Sequence, residues 1–469
     1  MPSVAVIGAG LGGIAVAALL RHAGFTDFVL LERAAEIGGV WRDNRYPGCA
    51  CDVPAPLYSY SFFPNPHWSR RFPPHDEILA YVRRCATELG ITPHLRLNTE
   101  VTSARWESGR WHLLLSDGSS LVADVLVPAV GQLSKPAVPV LPGADTFAGR
   151  QLHTTGWDDT VTVTGRRVAV IGTGASAIQL VPAIAGDAAH ITVFQRTAPW
   201  LIPKPDRRYG HPSPWTMRLA RAGTLLLAWF ATRAITGDPV ARTLVTTLST
   251  LQRHWQIRDP ALRAQVTPTI PLGCKRTLFT NAWLPALARP DVTLVTDTIT
   301  AVEPHGIRAA DGTLHEADTI VYGTGFTATD FLAPITVTGR NGITLPDTWR
   351  NGPHAHLGMT VPGFPNMFLI YGPNTNTGTT SVILFQEAQA RYIVQAVRLL
   401  ATGAAPLAVS PTRAAAHDAE MQHRLSTSIW TACHNWYTTP TGRIATNWPG
   451  SATEYIHRTA RLNPADFDQ

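Results

Sequence analysis

The sequence predicts an α/β fold made of two similar units, each a parallel sheet with helices packed on it. Three observations carry this prediction. A short apolar run, a glycine-rich turn, an Ala/Leu-rich helical stretch and a second apolar run follow one another at the N-terminus. The same order recurs after residue 167, and further apolar runs with Asp-Gly turns predict additional strands. This order is the one that builds a Rossmann-like dinucleotide-binding domain.

Length and composition indicate a globular protein of several domains. The chain has 469 residues, of which 45% are hydrophobic and 15% charged. Lys and Arg (39) exceed Asp and Glu (33) only mildly and form no cluster of five or more, so no nucleic-acid partner is expected. The longest apolar stretch, 222–231, is shorter than the roughly 20 residues that span a bilayer, so no membrane partner is expected either.

The cysteines predict neither a metal site nor a disulfide framework. They are odd in number and lack paired metal-ligand spacing; they are Cys49, Cys51, Cys85, Cys274 and Cys433. We therefore expect reduced cysteines and a cytoplasmic location. The N-terminal residues lead directly into the first glycine turn and show no charged region of a signal peptide.

The first unit occupies the N-terminal 32 residues. Its parts are the apolar run 4–7, the turn GAGLGG at 8–13, a helical stretch 14–23 and the apolar run 28–31. In this pattern Gly8 allows a tight turn, Gly10 lets the backbone approach a pyrophosphate, and Gly13 lets helix and strand pack closely. Glu32, 19 residues after Gly13, is placed to accept both hydroxyls of an adenosine ribose.

The second unit repeats this order with a different ending. Its parts are the apolar run 168–171, the turn formed by Gly172, Thr173, Gly174, Ala175, Ser176 and Ala177, a helix 178–184 and a strand 191–194. Arg196 stands where the first unit has its acid, and a guanidinium pairs with a 2′-phosphate that a carboxylate would repel. The second site therefore predicts NADP, although Arg196 could also be a solvated surface residue. Two such sites imply a bound flavin facing a nicotinamide hydride donor.

The remaining patterns predict how the two units are joined. A hairpin at 110–121 and the run 123–131 are expected to return the chain to the edge of the first sheet, and 317–325, after a turn at 311–312, to the edge of the second. A further buried strand is expected at 367–371.

The predicted first domain is discontinuous. It comprises residues 1–145 and 325–469, and the second domain, 146–324, is inserted in it. Apolar residues at helical spacing predict a helical insert at about 211–265 within the second domain.

Two longer motifs resemble a known family, the type I (class B) Baeyer–Villiger flavin monooxygenases. Residues 147–158, FAGRQLHTTGWD, resemble its FxGxxxHxxxW(P/D) motif through Phe147, Gly149, His153 and Trp157. Residues 38–52, GGVWRDNRYPGCACD, are similar to its GGxW…YPGxxxD segment, which lines the flavin; GCKR at 273–276 and GTGF at 323–326 add to the set. The resemblance runs from about residue 4 to 375.

The resemblance implies a reaction and the residues that carry it. With FAD and NADPH, the enzyme would convert a ketone and O2 into an ester or lactone through a C4a-peroxyflavin. Arg276 would stabilise the peroxyflavin anion, and Asp52 would orient Arg276. Lys275 would join Arg196 at the 2′-phosphate. The structural alternatives are that Arg276 and Asp52 form an ordinary ion pair or are unrelated surface residues, and that Lys275 is a surface lysine.

Other site residues follow from the same resemblance. Gly39, Trp41 and Tyr46 are expected at the flavin and Asn374 at the cofactor, while His153 and Trp157 are expected at a hinge between the domains. Either Trp436 or Trp448 would close over NADP. The insert aromatics, together with segment 433–437, are expected to wall the substrate cavity, some of them as core; they are Trp200, Trp215, Trp229, Phe230 and Trp255.

Three other functions are weighed against this one. Oxygenation of sulfur or nitrogen uses the same cofactors, but the motif of those enzymes usually ends in Tyr or Phe where this chain has Trp157. A disulfide reductase needs a CxxC pair, which Cys49-Ala50-Cys51 does not supply. A nucleotide-sensing module would need only one glycine motif. The expected partners are a small ketone and O2, and the expected assembly is a monomer or weak homodimer.

Overall fold

The computed structural model describes residues 1–158, 160–210 and 213–468. The strands are, in chain order, β1 Val4–Ile7, β2 Phe28–Leu31, β3 Leu95–Arg96, β4 Val101–Glu107, β5 Arg110–Leu115, β6 Ser120–Ala123, β7 Val125–Pro128, β8 Arg150–His153, β9 Arg167–Ile171, β10 His190–Phe194, β11 Leu201–Ile202, β12 Leu278–Phe279, β13 Val292–Val295, β14 Ile299–Glu303, β15 Gly306–Ala309, β16 Leu314–Glu316, β17 Thr319–Tyr322 and β18 Thr336–Thr338. The helices are α1 Leu11–His22, α2 Val40–Asp43, α3 His75–Glu88, α4 Ala177–Ile184, α5 Pro214–Ile235, α6 Pro239–Gln256, α7 Pro260–Gln265, α8 Trp283–Leu287, α9 Leu345–Thr348, α10 Val382–Ala401, α11 Pro411–Ser426 and α12 Ala452–Arg458.

The first parallel sheet has the order β3-β2-β1-β7. Its central strand β1 is buried along its whole length, as a parallel strand covered on both faces should be. Helix α1 packs on this sheet and α10 packs on α1. The predicted strand–turn–helix–strand order is confirmed; the helix begins at Leu11, three residues earlier than expected, because Gly12 and Gly13 belong to its first turn.

The second parallel sheet has the order β13-β10-β9-β17-β8. Helix α4 follows β9 and its glycine turn, as predicted. The expectation that 317–325 returns to the sheet edge is wrong, because β17 lies between β9 and β8. Strand β8, which belongs to the FxGxxxHxxxW motif and was not expected to be a strand, takes the edge. The predicted fold class, two Rossmann-like units with a helical insert in the second, is confirmed.

Smaller antiparallel sheets flank both units. The hairpin predicted at 110–121 is confirmed as β5-β6. β4, which was not predicted, pairs antiparallel with β5, and β18 adds in parallel to β4; β14-β15-β16 forms the second small sheet. β7 lies at the edge of the first sheet, as expected.

The strand expected at 367–371 is not formed. This buried segment runs beside β7, with Phe368 N–H donating to Leu126 O and Ile370 N–H to Pro128 O, both at 2.9 Å. Turn conformations at its two ends, with φ of 53° at Asn366 and 60° at Tyr371, leave it too short for a regular ladder.

The helical insert is confirmed as α5, α6 and α7. The last two each begin with an Asp-Pro pair. The carboxylates of Asp238 and Asp259 accept hydrogen bonds from Ala241 N–H (3.0 Å) and Ala261 N–H (2.9 Å), which caps the free amides of the first turn. Helix α5 packs against α6 and against the turn 55–57 that follows Asp52.

The expectation of wholly reduced cysteines is wrong for one pair. Cys274 and Cys433 form a disulfide with their Cα atoms 6.1 Å apart, whereas Cys49, Cys51 and Cys85 are free and buried. The two partners are 159 residues apart, and only the tertiary fold brings them together. Among the described residues no helix has the length and apolarity to cross a bilayer, and no cluster of metal-ligating side chains forms.

Candidate active site

The first glycine turn leaves a strip of bare backbone. A Cβ at Gly8, where φ is 102°, would lie 2.7 Å from Ala129 O, and one at Gly13 would lie 1.9 Å from Gly8 O. These two glycines are therefore required by packing alone. Gly10 differs, because its nearest neighbour would be the Cα of Gly39 at 3.7 Å. Two facing glycines without side chains form a cradle that fits a pyrophosphate at the start of α1.

Glu32 is buried and already holds three protein donors. Its carboxylate accepts hydrogen bonds from Ala9 N–H (2.9 Å), Ala34 N–H (3.1 Å) and Arg42 Nη1 (3.0 Å). A carboxylate offers about four acceptor positions. The bonds expected to both ribose hydroxyls stay a prediction, and this geometry leaves about one position for them. Arg42, which the sequence analysis did not single out, is a structural partner of Glu32.

The expected flavin-lining aromatics lie between the two units. Trp41 donates its indole N–H to the Tyr58 hydroxyl at 3.1 Å and meets that ring edge-on at 5.4 Å. Gly39, beside Trp41, has a φ of 55°. Tyr46 is buried and packs in the core of the second unit.

Sequence reasoning missed Gln179, which clamps this segment to α4. Its Oε1 accepts from the Tyr46 hydroxyl (2.9 Å) and from Ala50 N–H (3.3 Å), and its Nε2 donates to Ala50 O (2.9 Å). A Cβ at Gly48 would come within 2.6 Å of the Gln179 carbonyl, so the chain touches α4 closely. The available signal was a lone amide in an otherwise apolar helix.

The second glycine turn repeats the first. A Cβ at Gly172, where φ is 110°, would lie 2.5 Å from Gly323 O, whereas one at Gly174 would be 3.8 Å from its nearest neighbour. Ala175 and Ser176 lead from this open backbone into α4. The second turn therefore fits a second pyrophosphate for the same physical reason as the first.

Arg196 and Lys275 are neighbours at the second site. Arg196 is exposed after β10, and Lys275 is half-buried. Burial lowers the pKa of Lys275, and the nearby charge of Arg196 lowers it further. Within the described residues neither side chain forms an ion pair with a carboxylate. Two adjacent cations without a protein anion fit a phosphate group.

Arg276 and Asp52 form an ion pair across the two units. Arg276 Nε and Nη2 both reach Asp52 Oδ2, at 3.0 and 2.8 Å, and about a third of the arginine side chain is exposed. The Asp52 charge raises the pKa of Arg276 above its usual value, although burial opposes it. Arg276 is therefore a permanent cation whose direction Asp52 fixes.

Three further residues lie near this pair; Tyr437 belongs to the segment 433–437 that was expected at the cavity, whereas Tyr371 and Lys204 were not predicted as site residues. Burial raises the pKa values of Tyr371 and Tyr437, the latter to about 12, and the Arg276 charge opposes both shifts because it lies close by. Burial lowers the pKa of Lys204, while the charges of Asp206 and Asp52 act against this. Lys204 is one of only three lysines in the chain, which was the available signal.

Within the FxGxxxHxxxW motif, Phe147, Gly149 and Trp157 serve the core. Phe147 and Trp157 are buried in two hydrophobic clusters of the second unit. A Cβ at Gly149 would lie 2.3 Å from Asp318 O, so only glycine fits there.

His153 joins the two connections between the predicted domains. Its Nδ1 accepts from Thr155 N–H at 3.2 Å, which leaves the proton on Nε2, and Nε2 donates to Gly325 O at 3.0 Å. Burial lowers the pKa of His153, so it is neutral near pH 7. This placement accords with the expected hinge, which stays a prediction.

Asn374 donates both hydrogens of its side-chain amide to the protein. Its two amide hydrogens go to Ile444 O and Asn447 O, both at 3.0 Å. These bonds fix the C-terminal segment, and the expected contact with a cofactor stays a prediction.

The structure distinguishes the two tryptophans proposed to close over the cofactor. Trp448 is buried, donates to Ser451 O at 3.2 Å and lies under the guanidinium of Arg424. Trp436 is 36% exposed and packs on Tyr437 with ring centroids 4.4 Å apart. Of the two, Trp436 is the more exposed, and closure of either over the cofactor stays a prediction.

The insert aromatics do not wall a cavity as expected. Trp215, Trp229 and Trp255 are 72%, 50% and 82% exposed, and Phe230 is also exposed. Trp200 differs, because its indole N–H is bound to Ile270 O at 2.8 Å. The prediction is wrong for the four exposed residues, because α5 and α6 turn these side chains toward solvent. They are Trp215, Trp229, Phe230 and Trp255.

A chain with two such glycine turns can hold two dinucleotides. The two turns differ in their charged neighbours, which are Glu32 at the first and Arg196 and Lys275 at the second. This is the arrangement of a flavoprotein that is supplied by a nicotinamide nucleotide. The model of the FMO-like, flavin-binding monooxygenase-like family matches residues 2–334.

Known relatives narrow the class. A Baeyer-Villiger monooxygenase of Streptomyces coelicolor is 43% identical, over 99% of this chain and 92% of the relative. One of Pseudomonas aeruginosa is 40% identical, over 99% and 90%. OTEMO in complex with FAD and NADP superimposes with a TM-score of 0.90 at 26% identity, over 100% and 99% of the two chains. Oxidised steroid monooxygenase bound to NADP gives 0.87 at 30% identity, over 98% and 97%. The chain belongs to the flavin-binding monooxygenases and, within them, to the FAD- and NADPH-dependent Baeyer–Villiger monooxygenases.

Proposed function

We propose that this enzyme inserts one oxygen atom of O2 beside the carbonyl of a small ketone, giving an ester or lactone, and that Arg276 is the cation at the reacting oxygen. The ion pair with Asp52 carries the proposal. The pair joins a residue of the predicted first domain (1–145 and 325–469) to one of the predicted second domain (146–324).

The residues around the two glycine turns support the cofactor assignment. Gly10 and Gly39 leave room for one pyrophosphate, and Gly174 for the other. Bound FAD supplies oxygen activation and accepts a hydride from NADPH. Arg196 and Lys275 hold the 2′-phosphate that distinguishes NADPH from NADH.

Arg276 acts by charge and not by proton transfer. A guanidinium stays protonated at every working pH, so it stabilises an oxygen anion without quenching it. Asp52 keeps both nitrogens of one edge occupied, which leaves the opposite edge of the guanidinium for the reacting oxygen. Tyr371 and Tyr437 stay protonated because burial raises their pKa values, so they do not compete as anions.

The location and assembly of the enzyme are further parts of the proposal. The three free, buried cysteines suit the cytoplasm, whereas the Cys274–Cys433 bond suits an oxidising compartment. We retain the cytoplasm and a monomer or weak homodimer as expectations. Thiol titration of the denatured protein from freshly lysed cells would give five reactive thiols for the reduced form and three for the bonded form.

The reaction is tested with the purified enzyme, NADPH and a panel of ketones, with sulfides as comparison substrates. The expected product is the ketone plus one oxygen by mass, and Arg276→Ala should abolish it while FAD stays bound. NADPH should then be consumed slowly with release of H2O2. Arg289→Ala, which removes an exposed arginine paired with Asp291, is the matched control and should keep full activity. Normal ester formation by Arg276→Ala would overturn the assignment.

A further inference from the structure

The helical insert exposes large apolar side chains. Among the described residues, seven on α5 and five on α6 are more than a third exposed, at 36–82%; they are Trp215, Leu219, Leu225, Leu226, Leu227, Trp229, Phe230, Val240, Leu244, Leu248, Leu251 and Trp255. We call these twelve side chains the insert face. Twelve large exposed apolar side chains on two neighbouring helices differ from the single, scattered ones that a monomeric protein normally shows.

The two helices are amphipathic in the reverse sense. Along α5, Trp215, Leu219, Leu226 and Trp229 share one stripe by their spacing, and that stripe faces outward. The inward side of α6 is polar instead. Ser249, Gln252 and Arg253 are buried there, and Gln252 donates to Thr280 O at 2.6 Å. Leucines therefore face solvent while an arginine and a glutamine are buried. In water alone, exposing apolar side chains and burying polar ones both cost free energy.

The charges of the insert are mostly positive, and its acids Asp238 and Asp259 lie at the N-caps of α6 and α7, where Asp238 pairs with Arg233. Neither α5 nor α6 contains an Asp or Glu, whereas α5 carries Arg218, Arg221 and Arg233. Arg218 lies over the ring of Trp215 at 5.5 Å, at the exposed start of α5. Exposed arginines beside tryptophans and leucines are the composition of helices that lie in the interface of an anionic membrane.

We propose that the insert face docks on the surface of an anionic lipid bilayer, with α5 and α6 lying in the plane of the headgroups. The proposal departs from the expectation that the chain meets no membrane; the helices lie on the bilayer and do not cross it. A second copy of the chain is the less suitable occupant. A symmetric pairing would bring Arg218 of one copy close to Arg218 of the other, with no acid on either α5 to neutralise them.

The insert face lies partly on α5, which contacts the segment after Asp52, close to the Arg276–Asp52 pair. Helix α5 packs on the turn 55–57, three residues after Asp52, and Arg221 donates to Pro56 O (2.9 Å) and Ser59 O (3.1 Å). A docked insert therefore holds the Asp52 segment close to the lipid surface. An apolar ketone dissolved in the bilayer would then have a short route to Arg276.

The test uses the full-length enzyme with its FAD and sedimentation with vesicles. Vesicles of phosphatidylcholine alone are compared with a phosphatidylcholine–phosphatidylglycerol mixture, each at low and high salt. We expect the enzyme to sediment with the anionic vesicles and less so at high salt. The combined variant Leu226→Gln, Trp229→Gln and Leu248→Gln should lower that partition about tenfold or more.

A matched control separates docking from general loss of apolar surface. Leu97→Gln, Leu114→Gln and Val122→Gln together change three side chains outside the insert that are 37–45% exposed, and this variant should sediment like the parent. Both variants should keep their FAD and their Tm, because all six positions are exposed. Light scattering without lipid gives the oligomeric state.

Two results would overturn the proposal. One is that the enzyme does not sediment with anionic vesicles, or that the triple insert variant sediments with them as much as the parent does. The other is a stable dimer that the insert variant dissociates, which would assign the face to a second copy of the chain.

Discussion

At the scale of single residues, Arg196 at the second glycine turn is expected to distinguish NADPH from NADH. Arg196→Gln removes the exposed half of the cation pair and keeps a neutral, polar side chain. Binding of 2′,5′-ADP should weaken roughly tenfold to hundredfold, since a charge-assisted contact contributes about 1.5–3 kcal/mol. Binding of 5′-AMP should not change.

Calorimetry on the FAD-loaded protein measures both affinities without turnover. Arg258→Gln, an exposed arginine on the insert, serves as the control and should leave both affinities unaltered. An equal loss for the two nucleotides in Arg196→Gln would contradict the 2′-phosphate assignment.

Residue chemistry also shows what the sequence could and could not predict. The pairing of Arg276 with Asp52 was predicted through motifs 224 positions apart, and the structure forms it. The contacts of Gln179 and the pairing of Cys274 with Cys433 could not be predicted from the sequence. Nothing within their own segments encodes a contact that only the packed fold creates.

At the scale of elements, the two connections between the predicted domains meet at His153. His153→Ala removes the bond to Gly325 O, and we expect normal FAD content but slower turnover and more H2O2 per NADPH. His153→Gln retains a donor and should recover part of the coupling. Complete loss of FAD in both variants would make His153 a folding residue and would refute the hinge.

Helix α11 provides a second prediction at this scale, through its packing against the loop before α10. Burial, together with the charge of the neighbouring His356 whose ring centroid lies 5.1 Å away, lowers the pKa of His417 from 6.5 to about 4. The unfolded chain therefore binds this proton first, so stability falls as the pH drops from about 6.5 to about 4. The loss amounts to about 3 kcal/mol.

Melting curves across this pH range measure the effect. His417→Gln should flatten the dependence of Tm on pH, although its Tm at neutral pH can be lower. His22→Gln, at an exposed position on α1, should follow the parent at every pH. A parent curve that stays level down to about pH 4 would contradict the prediction.

Elements also divide into those that local pattern specifies and those that it does not. β1, α1, β9 and α4 were predicted because glycine turns and apolar runs require them locally. β8 was missed, since RQLH has no alternating pattern and becomes a strand only because β17 offers it an edge. The insert helices were found by periodicity, which does not tell which face turns outward.

At the scale of the whole molecule, the disulfide should contribute to stability. It closes a loop of 159 residues between the turn that carries Arg276 and the C-terminal segment. A loop of this length contributes up to about 5 kcal/mol by limiting the unfolded chain. A dithiol reductant should therefore lower Tm by a few degrees.

Cys433→Ser should melt like the reduced parent and should not respond to the reductant. If the parent melts at the same temperature with and without reductant, while thiol titration shows that the bond was broken, the disulfide does not stabilise the fold.

The clamp at Gln179 has a consequence for how such enzymes diverge. Its amide satisfies a phenol on one side and a peptide group on the other, so replacing a single partner leaves a buried polar atom unpaired. Replacing Tyr46 and Gln179 together with apolar side chains removes the phenol but still leaves the Ala50 N–H and C=O groups without their partner. Position 179 should therefore keep Gln among relatives, even where position 46 is Phe.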